Sequence, residues 1–362
     1  MKNSRIPGAV LGLAVGDAMG HTVDAQSIEE ICETYGPDGL LGYDLANGYA
    51  DVTSYTQIFA FTANGLLVAE THRRLRGRAA PLARYVSASL REWARSQQYS
   101  APARDICWLS RVPELKRRFC MDTGILDALS RETLGTLDSP AYRSAKPSVL
   151  TEALAIAILA PKLGLDAPAR DRFAAECAAM THGRPESWLA AGLLCRLYAG
   201  VLETDAPLHE LIDEARGTLP AIFGSLAGQA HRLWEPIQLA QTMAASGRNS
   251  REAMCSLGCA TAAEALAGAV YAVETCGGDF DTAMITSVNH SGRSCAVGAV
   301  TGAILGARLG EEALPDFYLG CLEPAAALRE LARDCRTGCT MGIGSGLFDD
   351  DWDRKYLHAG QA

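Results

Sequence analysis

The sequence has no apolar run of membrane length. Its most apolar start is broken by Gly8, Gly12, Gly16 and Asp17, far short of the roughly 20 residues a membrane helix needs. No small-residue cleavage site follows a basic start, so no secretory leader is expected. Sustained alternation of apolar and polar residues is missing too, which argues against a sheet. No repeat of fixed period stands out. Positive charge is in deficit: 33 Lys and Arg face 42 Asp and Glu, a formal net charge of −9. That balance disfavours a nucleic-acid-binding body. The 12 cysteines are scattered over 362 residues, a pattern unlike a disulfide scaffold. Cys335 and Cys339 have helical spacing, but no second Cys/His pair completes a zinc site. Reduced thiols in a cytoplasmic protein are the expectation.

Glycine is what the chain has in a telling arrangement. Gly8, Gly12, Gly16 and Gly20 recur every four residues near the start, and Gly298, Gly302 and Gly306 do so near the end. Each helical glycine costs about 1 kcal/mol relative to alanine. Two bare stripes therefore predict one close helix–helix contact, joining the two ends of the chain in one core. The expected fold class is all-α, a single compact multi-helix globular domain over 1–362.

Helices are predicted over about 26–34, 54–75, 82–98, 122–131, 148–163, 166–181, 186–202, 262–275, 280–288, up to 309 after the loop at 288–293, and Pro324–Asp334. Thr53 or Ser54 caps the second of these. Arg73, Arg74, Arg76 and Gly77 end it, matched to the helix dipole. Residues 100–121 read as irregular, Asn47-Gly48 as part of a loop, and 203–257 as shorter amphipathic pieces. The segment 349–356 is expected to dock back.

Four stretches carry a resemblance. They are Gly8–Val23 (GAVLGLAVGDAMGHTV), Thr181–Pro185 (THGRP), Val288–Gly310 (VNHSGRSCAVGAVTGAILGARLG) and Trp352–Tyr356 (WDRKY). In this order over nearly the whole length, they resemble the ADP-ribosylglycohydrolase family. The resemblance implies an all-α fold with two Mg²⁺ or Mn²⁺ ions in a central cleft. It also implies cleavage of the glycosidic bond at C1″ of ADP-ribose. The ions would be held by a Thr-Asp-Asp-Thr at the start of the second long helix and a Gly-Asp-x-Asp-Ser/Thr before the late glycine helix. This chain reads Thr53-Ser54-Tyr55-Thr56 and Gly292-Arg293-Ser294-Cys295-Ala296 there. Hard cations need about six oxygen ligands, and both pairs of acids are missing. No metal ligand is therefore assigned, and neither Mg²⁺ nor Mn²⁺ is expected as a cofactor. Residues 144–153 also depart from the family's glycine-rich segment ending in Met-Arg.

The remaining candidates each have two readings. Asp24 is a cap for the helix 26–34 or a member of the site. Arg293 replaces the metals as a cation for a carboxylate, phosphate or ribose hydroxyl, or it plugs a dead site with a salt bridge. Cys295 is a nucleophile at a helix N-terminus with His290 as its base, or a buried structural thiol. Tyr55 stacks on a ligand or, as favoured, fills vacated volume. Thr53, Ser54, Tyr55, His290 and Ser294 form the candidate ligand-binding set. His182 reads as structural, and Asp279 and Asp281 as the capped first turn of the helix 280–288. The expected function is that of a pseudoenzyme binding a small, ADP-ribose-like ligand or a protein partner, with no nucleic-acid or membrane partner. The alternatives are a metal-independent hydrolase using Asp24, Arg293 and Cys295, and a purely structural protein.

Overall fold

The computed structural model describes residues 4–45, 48–98, 107–119, 122–140, 142–247 and 250–358. Asn47, Cys120 and most of the irregular stretch before 107 lie outside the described residues. The described residues form 17 α-helices, no strand, and one isolated bridge between Ala50 and Leu322. The first half contains α1 (Arg5–His21), α2 (Ile28–Tyr35), α3 (Ser54–Arg76), α4 (Leu82–Gln97), α5 (Thr123–Ser130), α6 (Leu150–Leu163), α7 (Ala167–Ala179) and α8 (Pro185–Glu203). The second half contains α9 (Leu208–Phe223), α10 (His231–Ala245), α11 (Ser250–Leu257), α12 (Ala262–Cys276), α13 (Phe280–Val288) and α14 (Ser294–Leu309). It ends with α15 (Asp316–Cys321), α16 (Ala325–Thr337) and α17 (Asp350–Tyr356).

The glycine stripes meet as their spacing predicts. A Cβ added at Gly8, Gly12 or Gly16 of α1 would overlap the carbonyl oxygen of Gly306, Gly302 or Gly298 of α14. The reverse substitutions would collide just as closely. The helices thus touch backbone to backbone, and the start of the chain lies against α14 in one apolar cluster.

The 203–257 stretch differs from the expected short pieces. It holds α9 and α10, of 16 and 15 residues, each with an internal proline, Pro220 and Pro236. A proline removes one backbone bond from a helix. Burial of Leu219 and Phe223 beside Pro220, and of Leu233, Ile237 and Ala240 around Pro236, sustains these helices through it. The tail docks as expected: Trp352 Nε1 donates to Thr71 Oγ1 of α3 at 2.9 Å, and the Tyr356 hydroxyl donates to Asp334 of α16 at 2.7 Å. No helix of the described residues is long and apolar enough to cross a membrane. The 11 described cysteines are all unpaired.

Candidate functional site

The N-termini of α3 and α14 converge on the C-terminal part of α1. Asp17 of α1 is fully buried where α3 begins. Its carboxylate accepts from Thr53 N (2.9 Å), Thr53 Oγ1 (2.6 Å), Thr56 N (3.0 Å) and Thr56 Oγ1 (2.6 Å). The first turn of α3 is therefore anchored by an acid from another helix, which answers donors that otherwise lack partners. Burial raises the Asp17 pKa, and the four hydrogen bonds oppose that rise.

Asp24, just past α1, does the corresponding job for α14. It accepts from Cys295 N at 3.1 Å and from Arg293 Nη1 at 3.2 Å. The Asp24 side chain is 1% exposed and that of Arg293 28%. Burial lifts the Asp24 carboxyl above its ordinary range, against the pull of the Cys295 N–H and of Arg293. Of the two readings of Asp24, the cap is excluded: the cap of α2 is Ser27, which forms a reciprocal capping box with Glu30.

The loop carrying Arg293 is gripped by two residues in strained backbone conformations. Among the described residues only Ala25 and Cys259 are non-glycine residues in the left-handed region, with φ of 61° and 53°. Both grip this loop. Ala25 N donates to Gly292 O at 3.1 Å, and Arg293 N donates to Cys259 O at 2.9 Å. Such residues cost about 1–3 kcal/mol each and persist only where the surroundings impose them. A side chain at Gly292 would overlap Gly258 and Cys259.

The structure separates the remaining candidates. The Cys295 thiol is buried, in contact with Thr53 and Asp24, and burial with nearby carboxylates pushes it well above the usual thiol range. His290 does not serve it as a base. Nδ1 of His290 accepts from Gly292 N at 2.9 Å, and its Nε2 lies 3.0 Å from Ser287 O as a donor. Burial brings His290 down to about 4, so it is neutral. The reading of Cys295 as a nucleophile activated by His290 is thereby corrected: the thiol is protonated and the imidazole is spent within its own loop. Ser294 donates to Val288 O at 2.8 Å and shapes the loop instead of facing a ligand.

Tyr55 is 2% exposed and lies in the electrostatic reach of Asp24, Cys295 and Arg293. Thr53 and Ser54 are buried beside it. Of the candidate residues, only Arg293 has an appreciably exposed side chain, and its guanidinium reaches over the buried Asp24 carboxylate. A cavity of about 210 Å³ lies beside the last turn of α1, lined by Ala18, His21, Thr22, Tyr49 and Asp51 among others. None of the Asp24–Arg293 cluster lines it.

The THGRP segment is structural. His182 is buried, with Nε2 3.1 Å from both Asp122 and Ser148, and Nδ1 2.9 Å from Thr181 Oγ1. Serine and aspartate share one nitrogen, so this is not a relay through the ring of the kind a serine hydrolase uses. Asp279 caps α13 through Thr282 N at 3.2 Å, as read from the sequence. Asp281 lies in the first turn of α13, as also read, and accepts from the buried Tyr318 hydroxyl at 2.6 Å.

The residues present do not fit a pair of Mg²⁺ or Mn²⁺ ions. Asp17 is spent on α3, Asp24 faces a guanidinium, and Cys295, within the second motif, is a protonated thiol. Among the described residues no group of three or more His, Cys, Asp or Glu side chains could hold a metal ion. Asp17 is the residue that sequence reasoning passed over. Its signal was visible as an acid inside a glycine-spaced apolar helix, which must find donors when buried.

Fold and site together define an all-α protein whose first and late glycine helices interlock and present a polar cluster at one end. The chain belongs to the ADP-ribosylglycohydrolase family, whose sequence profile matches residues 1–342. Its fold is similar to a solved structure named "ADP-ribosylglycohydrolase-related protein complex", with a TM-score of 0.54 and 22% identity over 92% of this chain and 97% of that one. At that identity the likeness concerns the fold alone. No curated protein matches the sequence significantly.

Proposed function

We propose that this family member has given up metal-dependent removal of ADP-ribose and acts by binding. Its occupant is a small nucleotide-like ligand, ADP-ribose-like in chemistry, or a protein partner, and the protein works in the cytoplasm as a pseudoenzyme. The observation that carries this reading is the Arg293–Asp24 pair, 3.2 Å apart over a buried thiol. A permanent cation there repels a divalent metal and neutralises the carboxylate that would bind one. The scattered spacing of the 12 cysteines, unlike a disulfide framework, supports the cytoplasmic part of this reading.

The test is an ADP-ribose release assay on ADP-ribosylated protein, with Mn²⁺ and with EDTA, beside a thermal-shift titration with ADP-ribose and AMP. The reading expects no release under either condition and a saturable stabilisation by one of the ligands or by a partner. Release that needs Mn²⁺ overturns it. Release that persists in EDTA selects metal-independent hydrolysis through Asp24 and Arg293. No stabilisation by any ligand or partner selects a structural role.

A further inference from the structure

We propose that a cavity between α4 and α5 binds the phosphate group of a small ligand. The cavity measures about 320 Å³ and is lined by Arg91, Arg95, Gln98, Ser130, Arg131 and Glu132 over an apolar floor. Arg91 and Arg95 lie one turn apart on α4, so their side chains emerge on the same face. Arg131 follows the last residue of α5.

Two donors in this cavity lack acceptors. The Nε atoms of Arg91 and Arg95 are both buried, and neither has a hydrogen-bond partner among the described residues. Arg91 Nη2 donates to the carbonyls of Arg131 (2.6 Å) and Glu132 (3.1 Å), closing the end of α5. That accounts for one edge of its guanidinium and leaves Nε–H free. The Arg95 side chain makes no hydrogen bond or ion pair among the described residues. Buried donors are almost always satisfied, so two in one cavity point to an acceptor supplied from outside.

Charge selects the class of acceptor. Three guanidiniums and one carboxylate line this spot, on a chain whose net charge is −9. A phosphate offers three acceptor oxygens and close to two negative charges, and the Nε–H/Nη–H edge of arginine matches its geometry. The volume sits at the lower end of small-molecule sites, enough for a phosphate with a short ester group. The acidic body of the protein disfavours a nucleic-acid backbone as the source. The site lies on helices other than those that carry Asp24 and Arg293, and it stands whether or not the proposed function holds.

Isothermal titration of the full chain with inorganic phosphate and with glycerol 3-phosphate tests this, with glycerol as the control. One saturable site is expected, weakened at least about tenfold in Arg95→Gln and in Arg131→Gln. Binding should also weaken from pH 8 to pH 5.5, as the ligand gains a proton near pH 6. Equal affinity for the two probes assigns inorganic phosphate, and tighter binding of the ester assigns a phosphomonoester. The absence of saturable binding at millimolar phosphate overturns the proposal. So does Arg95→Gln, folded by circular dichroism, that keeps wild-type affinity.

Discussion

The Arg293 guanidinium and the Asp24 carboxylate lie 3.2 Å apart, on segments 269 residues distant in the sequence. Asp24 is also the acceptor for Cys295 N at the start of α14. One acid thus receives both a helix N-terminus and a permanent cation, and the pair closes the end of the α1–α14 seam.

Removing the cation should expose the cost of that burial. Arg293→Ala leaves Asp24 buried with a single N–H donor. Loss of one partner of a fully buried pair costs about 3–5 kcal/mol, and the partial exposure of Arg293 reduces this to about 1–3. Protonation of Asp24 relieves the defect, and burial already raises its pKa. Urea unfolding should therefore show a larger gap from wild type at pH 7.5 than at pH 5. A gap that does not change with pH would contradict this reading of the pair.

Asp17→Asn should be more damaging than its similar shape suggests. An amide offers one acceptor where Asp17 uses two oxygens against four donors, and it turns an NH₂ toward the first turn of α3. The expected loss is about 2–4 kcal/mol, from donors left buried without partners. Thr56→Val, which removes one of the four bonds, should cost about 1 kcal/mol. Equal, small effects from both would mean that Asp17 does not anchor α3.

The interlocked stripe gives a contrast within one residue type. Gly302→Ala puts a Cβ into the Gly12 carbonyl. Both helices are backbone-rigid there, so the cost should be about 3 kcal/mol or more. Gly217 on α9 has open space around it. Gly217→Ala should stabilise by about 0.5–1 kcal/mol through helix propensity. Chemical denaturation of the two variants reads both signs.

The glycine contact was legible because its spacing is written directly in the sequence and only a bare face explains it. The Ser27–Glu30 capping box was equally legible, and it should have freed Asp24 from the role of cap. The roles of His290 and Cys295 were not legible. Closeness in sequence suggested a pair, but the turn at 290–293 directs the imidazole back onto Ser287 and Gly292. The Arg91, Arg95 and Arg131 cavity was hidden for a different reason, since α4 and α5 bring its parts together across a long connection.

Glu152 provides a pH signature apart from the site. It is buried, neither carboxyl oxygen has a partner among the described residues, and burial raises its pKa from 4.5 to about 8. Between those values the folded protein holds a proton that the unfolded chain has lost. This component of stability is fully present below pH 4.5 and falls as pH rises towards 8, by up to about 1.4 kcal/mol per pH unit. Glu152→Gln should flatten the stability–pH profile and exceed wild type most at pH 8. Parallel profiles for the two proteins would place the proton elsewhere.

The central claim is that the dimetal site has been replaced by an internally satisfied cluster, and titration with Mn²⁺ by calorimetry tests it most directly. The account predicts no saturable uptake in the micromolar range by wild type, since hard cations require several free oxygen ligands. Stoichiometric micromolar binding of Mn²⁺, abolished by Asp17→Asn or Asp24→Asn in folded protein, would contradict it.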